Sequence, residues 1–365
     1  MSEATKGNAA TTVVAPDTLR QFVAALFHHH GVPARDARTV ADCLVRANLR
    51  GVDTHGVFRA SPYLERIRKG VLTPNPEIKV ERVSPTAVSI DAGNALGAVA
   101  GTRAMREAID LAGSTGVGVV SVRHSNHYGM AAYYVLQAIE AGMIGLAFTN
   151  ASPAFAPWGG RRPFFGTSPL AAGVPGGENG PFVLDMAMSV LARGNVYIAA
   201  KRGEAIPPGL ALDSEGRPTT NPQALIDGGT MLPVGGVKGA ALSMLMDILS
   251  GVLSGAAFAG RVANPLLDLT RPADVGHFFI CLRPDLFVPR EVFTARMDEL
   301  IERVKAEPRA ADIDEILIPG ERERRTEAHR SKTGIPLSRE TLDALLAEGK
   351  SAGVELQATS GSNQI

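Results

Sequence analysis

Residues 239–258 read GAALSMLMDILSGVLSGAAF, a twenty-residue stretch that is almost wholly apolar. Such a run is either a membrane span or a helix packed into a large core. Asp247 stands at its middle, and Ser243, Ser250 and Ser254 thin it further. A charged Asp at mid-bilayer costs about 3 kcal/mol on insertion scales. The segment is therefore expected to be a helix buried on most of its sides. A chain of 365 residues, 45% hydrophobic and 20% charged, can build that core and divides naturally into two lobes. Lys+Arg and Asp+Glu number 37 each. This balance argues against a broad nucleic-acid surface or a polybasic membrane surface. Cys43 and Cys281 each lie in an apolar stretch, so they read as buried free thiols and exclude a disulfide scaffold. No basic region leads into an apolar run at the N-terminus, so a signal peptide is not expected and a cytoplasmic location is.

Periodicity divides the chain. Residues 1–15 lack pattern and are expected to form a disordered tail. A helix is expected over 17–30, and Pro33 and Asp36 open another, with Val40, Ala41, Leu44 and Val45 on one face. The loop RGVDTHGVFR follows, then the helix SPYLERIRKGVL, stopped by Gly70. Residues 16–76 thus form a helical lobe, expected to pack with C-terminal helices in 285–350. From 77 to 335 the texture is α/β. EIKVERV and TAVSIDA alternate like strands, 102–113 is an amphipathic helix, and GVGVVSVRH is a buried strand. Residues 128–141 read as helix, and 144–149 and 182–185 as strands. That order predicts a largely parallel or mixed sheet. Residues 202–235 form an ordered excursion or lid, 291–304 a helix, EILIPGERE a strand breaking into a glycine turn, and 341–349 a late helix, with fraying beyond 351.

The chemistry-bearing residues are few. No P-loop occurs, and the nearest approach to G-x-G-x-x-G, at 116–121, begins a strand instead of leaving one, which excludes a Rossmann fingerprint. The segment 235–239, GGVKG, opens a helix. Its amides, the helix dipole and Lys238 make either an anion site or a tight turn with a solvated lysine. His28, His29 and His30 close a helix, where cations suit the dipole. His55 lies in Asp53-Thr54-His55-Gly56 with Arg59 four residues on, so an imidazole and a guanidinium fork could share a carboxylate ligand. His124 and His127, in VRHSNHYG, follow a buried strand, where α/β proteins bind ligands. H-x-x-H without a third ligand is a weak zinc pattern, so no metal is assigned. A metal-dependent hydrolase stays as a remote alternative. A general-base histidine needs only a near-neutral pKa and a partner.

Taken together, RGVDTHGVFR, VRHSNHYG, TNASPAFAPWGG, FVLDMAMS, LPVGGVKG and IPGERE resemble the malate/L-lactate dehydrogenase family of the non-Rossmann type, collinearly from about residue 17 to 345. Its relatives include ureidoglycolate, L-sulfolactate and 2,3-diketogulonate dehydrogenases and Δ1-piperideine-2-carboxylate reductases. The resemblance implies a three-layer α/β/α fold with a mixed seven-stranded sheet, a non-Rossmann NAD(P)-binding fold with a helical N-terminal lobe, and a homodimer. His127 matches the catalytic histidine. Thr54, His55 and Arg59 match the D-[ST]-H-G-x-x-R loop of the substrate pocket, Arg59 on the carboxylate and His55 as a hydrogen-bonding group or second acid. Asp185, Met186, Ala187, Lys238, the Pro319, Gly320, Glu321 turn and the loop of Ala151 match cofactor segments. The implied activity is interconversion of a small malate- or lactate-like 2-hydroxy acid and its 2-oxo acid, with NAD placed ahead of NADP. An NADPH-dependent cyclic imine reductase is the alternative. The expected partners are a small carboxylate substrate and a second copy of the chain, with no nucleic acid and no membrane. Asn195, Leu210, Ala240 and Ala151 depart from residues common in relatives and bear on cofactor preference and substrate size.

Overall fold

Leu19, Phe22, Val23, Leu26 and Phe27 recur at helical spacing behind a proline that starts the first turn, and all five are buried in one helix. The computed structural model describes residues 11–357 other than 192 and 266. They fall into two compact units, Met1–Asn75 with Glu321–Ile365, and Pro76–Gly320. The first opens with β1 (Thr11–Val14), α1 (Pro16–His29), α2 (Ala34–Leu49), two 3-10 turns, Asp53–His55 and Val57–Arg59, and α3 (Ala60–Arg68). Val40, Ala41, Leu44 and Val45 of α2 are buried, and α2 packs on α1. β1 corrects the disordered-tail expectation over 11–14. Residues 1–10 of that tail lie outside the described residues.

The second unit carries β2 (Lys79–Ser84), β3 (Ala87–Asp91), α4 (Gly97–Thr115), β4 (Val117–Ser125), α5 (Ala132–Glu140), β5 (Ile144–Thr149), β6 (Leu170–Val174) and β7 (Phe182–Met186). It continues with α6 (Arg193–Arg202), β8 (Ala211–Leu212), α7 (Pro222–Ile226), β9 (Thr230–Met231), α8 (Val237–Asp247), β10 (Val275–Leu282) and α9 (Arg290–Ala306). Its seven-stranded sheet has the order β2-β3-β4-β10-β5-β6-β7. Only β3 and β4 run parallel, so the sheet is mixed. The central strand is β10. Residues 202–235 are ordered. There β8 pairs with β9, and Met231 joins Phe155, Phe165, Met188 and Val196 in a small core.

Two expectations are corrected here. The apolar segment is not buried on most sides: Met244, Leu245, Ile248, Val252 and Leu253 are exposed. Its inward face carries Gly239, Ala240, Ser243, Ser250 and Gly251, along α8 and a π-helical turn over Ile248–Val252, with Met246 as its one buried large residue, packed on Phe148 and Phe278. The reason for the small residues is close approach. A Cβ on Gly276 of β10 would stand 1.5 Å from the Ser250 carbonyl oxygen, so only small side chains fit between. The mid-segment acid is explained as well, because the Ala259 N–H donates to Asp247 at 2.8 Å. Second, EILIPGERE contains no strand. It meets the sheet edge where the Val183 N–H donates to the Pro319 carbonyl, 2.9 Å.

The chain then returns to the first unit with α10 (Glu321–Thr333), β11 (Ile335–Ser338) and α11 (Arg339–Ala352). β11 pairs antiparallel with β1, Thr11 opposite Ser338. α11 outruns the expected 341–349 and stops at Gly353, φ +65°, where glycine takes the left-handed cap. The fraying expected beyond 351 is therefore corrected for Ser351 and Ala352, and 358–365 lie outside the described residues. No helix among the described residues is long and apolar enough to cross a membrane.

Candidate active site

In the first unit the segment after α2 is pinned from behind. Asn48 donates its side-chain amide to Asp53 (2.6 Å) and accepts the Val57 N–H on its oxygen (2.8 Å). A Cβ on Gly56 would fall 2.1 Å from that oxygen, so the motif requires glycine there. Arg330 of α10 forks onto both Asp53 carboxylate oxygens (2.8 and 3.2 Å) and donates to the Asn48 carbonyl. A buried pair behind it, Arg50 to Glu327 at 2.7 Å, ties α10 to α2 again. Within the pinned turn, Arg59 Nε donates to the Thr54 carbonyl at 2.8 Å, and the exposed Thr54 hydroxyl lies 3.1 Å from His55 Nδ1. Burial, with the Arg59 cation adding, holds His55 down to about 4. The imidazole is therefore neutral near pH 7. Burial also lowers Arg59.

In the second unit His127 follows the end of β4. Asn126 is buried, and its amide donates to the Asn94 side chain (2.9 Å) and the Ala95 carbonyl (2.9 Å). A Cβ on Gly97, the first residue of α4, would stand 2.3 Å from the Asn126 oxygen and 2.4 Å from the His127 oxygen. The loop backbone and the helix start are thus in direct contact. His127 is half-buried, and the Gly129 N–H donates to its Nδ1 at 3.3 Å. Asp185, at the end of β7, accepts the Ala132 N–H at 2.7 Å. A carboxylate at the start of α5 suits that helix's dipole. Met186 pairs with Leu170 beside the Phe155 cluster, and Ala187 is exposed. Gly320, φ +87°, packs on Val183, where a Cβ would stand 2.6 Å from the valine Cβ.

The remaining expected positions separate. Glu321 follows Gly320 directly, is buried in the first turn of α10 and accepts from Arg325 at 2.6 Å. The Ala151 carbonyl lies against Gly166, and the Gly166 carbonyl in turn accepts from Ser243 of α8. Lys238 is exposed in the first turn of α8, after Gly235 and Gly236, both at φ +62°, with no acidic residue in that turn. His124 pairs with Asp91 at 3.0 Å. Burial alone would raise Asp91, but His124, the Gly93 N–H and Arg123 outweigh it and hold the carboxyl low. No group of three or more His, Cys, Asp and Glu residues that could hold a metal occurs among the described residues.

Sequence reasoning passed over three groups. Asn48 and Arg330 are ordinary helix residues in the sequence, and nothing in the local pattern marks them. His277 is the third, a fully buried imidazole in the apolar run VGHFFICL of β10. Its Nδ1 meets the Thr149 hydroxyl and its Nε2 the Ser125 hydroxyl, each at 2.8 Å. Its ring stacks on Tyr128, 4.6 Å between centroids and 4° between planes. A polar residue inside so apolar a strand was the available signal.

A family model described as malate/L-lactate dehydrogenase matches residues 14–346. The chain belongs to the malate/L-lactate dehydrogenase family. Malate dehydrogenase of Pyrococcus abyssi is 40% identical to this dehydrogenase over 93% of this chain and 94% of its own length. The solved sulfolactate dehydrogenase of Methanocaldococcus jannaschii is 35% identical, with a TM-score of 0.89 over 94% of this chain and 98% of that one. Two other relatives carry a cofactor in their names. Ureidoglycolate dehydrogenase (NAD+) of Escherichia coli strain K12 is 35% identical over 84% of this chain and 87% of its own length. (2R)-3-Sulfolactate dehydrogenase (NADP+) of Chromohalobacter salexigens is 37% identical over 70% and 77%. This family member is an oxidoreductase of the 2-hydroxy-acid dehydrogenase class.

Proposed function

We propose that this dehydrogenase interconverts a small malate- or sulfolactate-like 2-hydroxy acid and its 2-oxo acid, with NAD or NADP as the hydride carrier. The observation that carries the reading is the family match over residues 14–346, which contains both the loop of His55 and Arg59 and that of His127, each pinned within its own unit. Arg59 holds the substrate carboxylate through its guanidinium fork, since its Nε is already committed to the Thr54 carbonyl. Neutral His55, with Thr54 beside it, hydrogen-bonds the substrate without competing for the carboxylate. His127 takes the hydroxyl proton in oxidation and returns it in reduction, a contribution of about 10²–10⁴-fold. The nicotinamide, when bound, accepts or supplies the hydride. The donor set fits an anionic dinucleotide. Lys238 and the uncompensated start of α8 suit a phosphate, and Asp185, Met186, Ala187, Ala151 and the Pro319, Gly320, Glu321 turn supply the remaining contacts.

The Pro76–Gly320 unit is read as the cofactor-binding part, a three-layer α/β/α arrangement without a Rossmann fingerprint, and the helical unit as the substrate lobe. A homodimer is proposed on the exposed apolar strip of Met244, Leu245, Ile248, Val252 and Leu253. A cytoplasmic setting is supported by two buried free cysteines. The test is loss of reduced-nicotinamide absorbance with purified protein, crossing NADH and NADPH with oxaloacetate, pyruvate, a sulfonated 2-oxo acid and a cyclic imine acid. Oxidation with a 2-oxo acid is expected. Turnover with the cyclic imine alone would overturn the assignment.

A further inference from the structure

His277 belongs to no motif loop, yet it touches the His127 segment on both sides. Before His127 it meets the Ser125 hydroxyl at 2.8 Å, and the Asn126 backbone also bonds the ring. After His127 the Tyr128 ring lies flat on it. Tyr134 of α5 closes the stack from behind, 4.7 Å from Tyr128, and donates its hydroxyl to the Tyr128 carbonyl. On its other nitrogen the imidazole is anchored to Thr149 of β5, directly opposite in the sheet. Residues 125, 126 and 128 are therefore referred to one ring, and that ring sits on the central strand of the sheet.

The chain bends to make this contact. Between Val122 and Ser125, β4 has one more residue than β10 has between its partners His277 and Val275. The extra residue produces a bulge, and His124 absorbs it at φ +52°. A bulge re-aims the side chains that follow it, here Ser125 onto the imidazole. A left-handed conformation at a non-glycine residue costs free energy that the surroundings must offset. Burial is also costly for the imidazole, and it holds His277 down to about 3, the Asn126 backbone opposing. The ring is thus a neutral bridge with one nitrogen donating and one accepting, and a serine and a threonine hydroxyl can each take either part.

We propose that His277 is a positioning residue for the dehydrogenase reaction, holding the backbone on both sides of His127 so that the His127 ring keeps its place. The proposal rests on His127 as the proton-exchanging group. A catalytic group displaced by about 1 Å can lose about 10²-fold in rate, so an anchor of this kind acts on kcat and not on binding.

The experiment compares His277→Phe, His277→Gln, His277→Asn and Ser125→Ala with the wild type and with His127→Ala, at matched folded fraction by circular dichroism. His277→Phe keeps the stack on Tyr128 and drops both nitrogens. Gln carries its amide at the position of Nε2, toward Ser125, and Asn at the position of Nδ1, toward Thr149. The expected result is a kcat loss of about tenfold to 10²-fold in His277→Phe, with the substrate KM and the cofactor Kd within about twofold. His277→Gln should recover most of kcat and His277→Asn little, because only the Ser125 side leads to His127. Ser125→Ala should lose kcat as His277→Phe does, and it decides the matter if the Phe variant does not fold. Wild-type kcat in Ser125→Ala, or equal rescue by Asn and Gln, would overturn the proposal and leave His277 a packing residue. A fully active His127→Ala would sink the assignment of His127 itself, a separate failure.

Discussion

Arg59 is the side chain whose replacement best separates binding from chemistry. A lysine there keeps the charge but loses the planar fork and the Nε–H bond to the Thr54 carbonyl. Arg59→Lys should raise the KM for the 2-oxo acid about tenfold or more and leave the Kd of the reduced cofactor unchanged, measured by fluorescence titration. A KM within twofold of wild type would remove Arg59 from the carboxylate. At Gly97 the effect is steric. Its missing Cβ is what lets α4 touch the Asn126 and His127 carbonyls, so Gly97→Ala should destabilise by about 1–3 kcal/mol and lower kcat together, checked by urea unfolding beside turnover. Residues of this scale divide in legibility. His55, Arg59 and His127 stand out because chemistry demands those types at those spacings. Asn48, Arg330 and His277 do not, because each acts on a residue through a backbone path that only the fold lays down. Asn48 still lies within reach of its motif, but Arg330 meets Asp53 across 277 residues.

The apolar segment that becomes α8 is the most informative element. Its hydrophobic content alone suggested burial, and the structure turns Met244, Leu245, Ile248, Val252 and Leu253 outward and buries only Met246 of its large residues. Space decides the contact at Gly276, where β10 comes so close to the Ser250 carbonyl that no Cβ fits on the strand, while Met246 faces the core further along, against Phe148 and Phe278. Asp247 then has a local task, accepting the Ala259 N–H and, at 3.4 Å, the Asn150 amide. Asp247→Ala takes the acceptor from the half-buried Ala259 N–H, while the Asn150 amide keeps the Ala257 carbonyl at 2.6 Å, and should cost about 1 kcal/mol. Asp247→Asn keeps an acceptor oxygen and should cost less. Equal urea midpoints for the two variants would refute the capping role. β10 itself is a short apolar run between irregular segments, and no window of sequence shows that it, and not a neighbour, occupies the centre of the sheet.

At the scale of the whole molecule, the buried His277 and the half-buried, desolvated His55 both favour unfolding in acid. His55 titrates at about 4 and His277 at about 3 in the folded chain, against 6.5 when exposed. The unfolded chain therefore binds protons first as pH falls below 6.5, and stability is lost progressively down to the folded values. Above 6.5 both rings are neutral in either state and add no slope. Urea midpoints measured from pH 7 to pH 4 should fall, with a shallower decline in His277→Gln. A flat profile would show that neither ring is desolvated as the fold implies. The exposed strip on α8 and the π turn makes a second prediction. Ile248→Lys and Leu253→Glu should shift the sedimentation coefficient from dimer toward monomer, and an unchanged value would place any dimer contact elsewhere.

Sequence by itself determined the family, the types of the reacting side chains and the helices whose apolar stripes are read at 3.6-residue spacing, because these are local or chemical constraints written into contiguous residues. Tertiary structure alone decided that β10 is central, that β1 pairs with β11, that α8 and the turn after it expose most of their large residues, and that His277 stands behind His127. The physical reason is distance along the chain. His277 meets Ser125 across 152 residues and Thr149 across 128, and contacts of that separation leave no period in any stretch of sequence short enough to read.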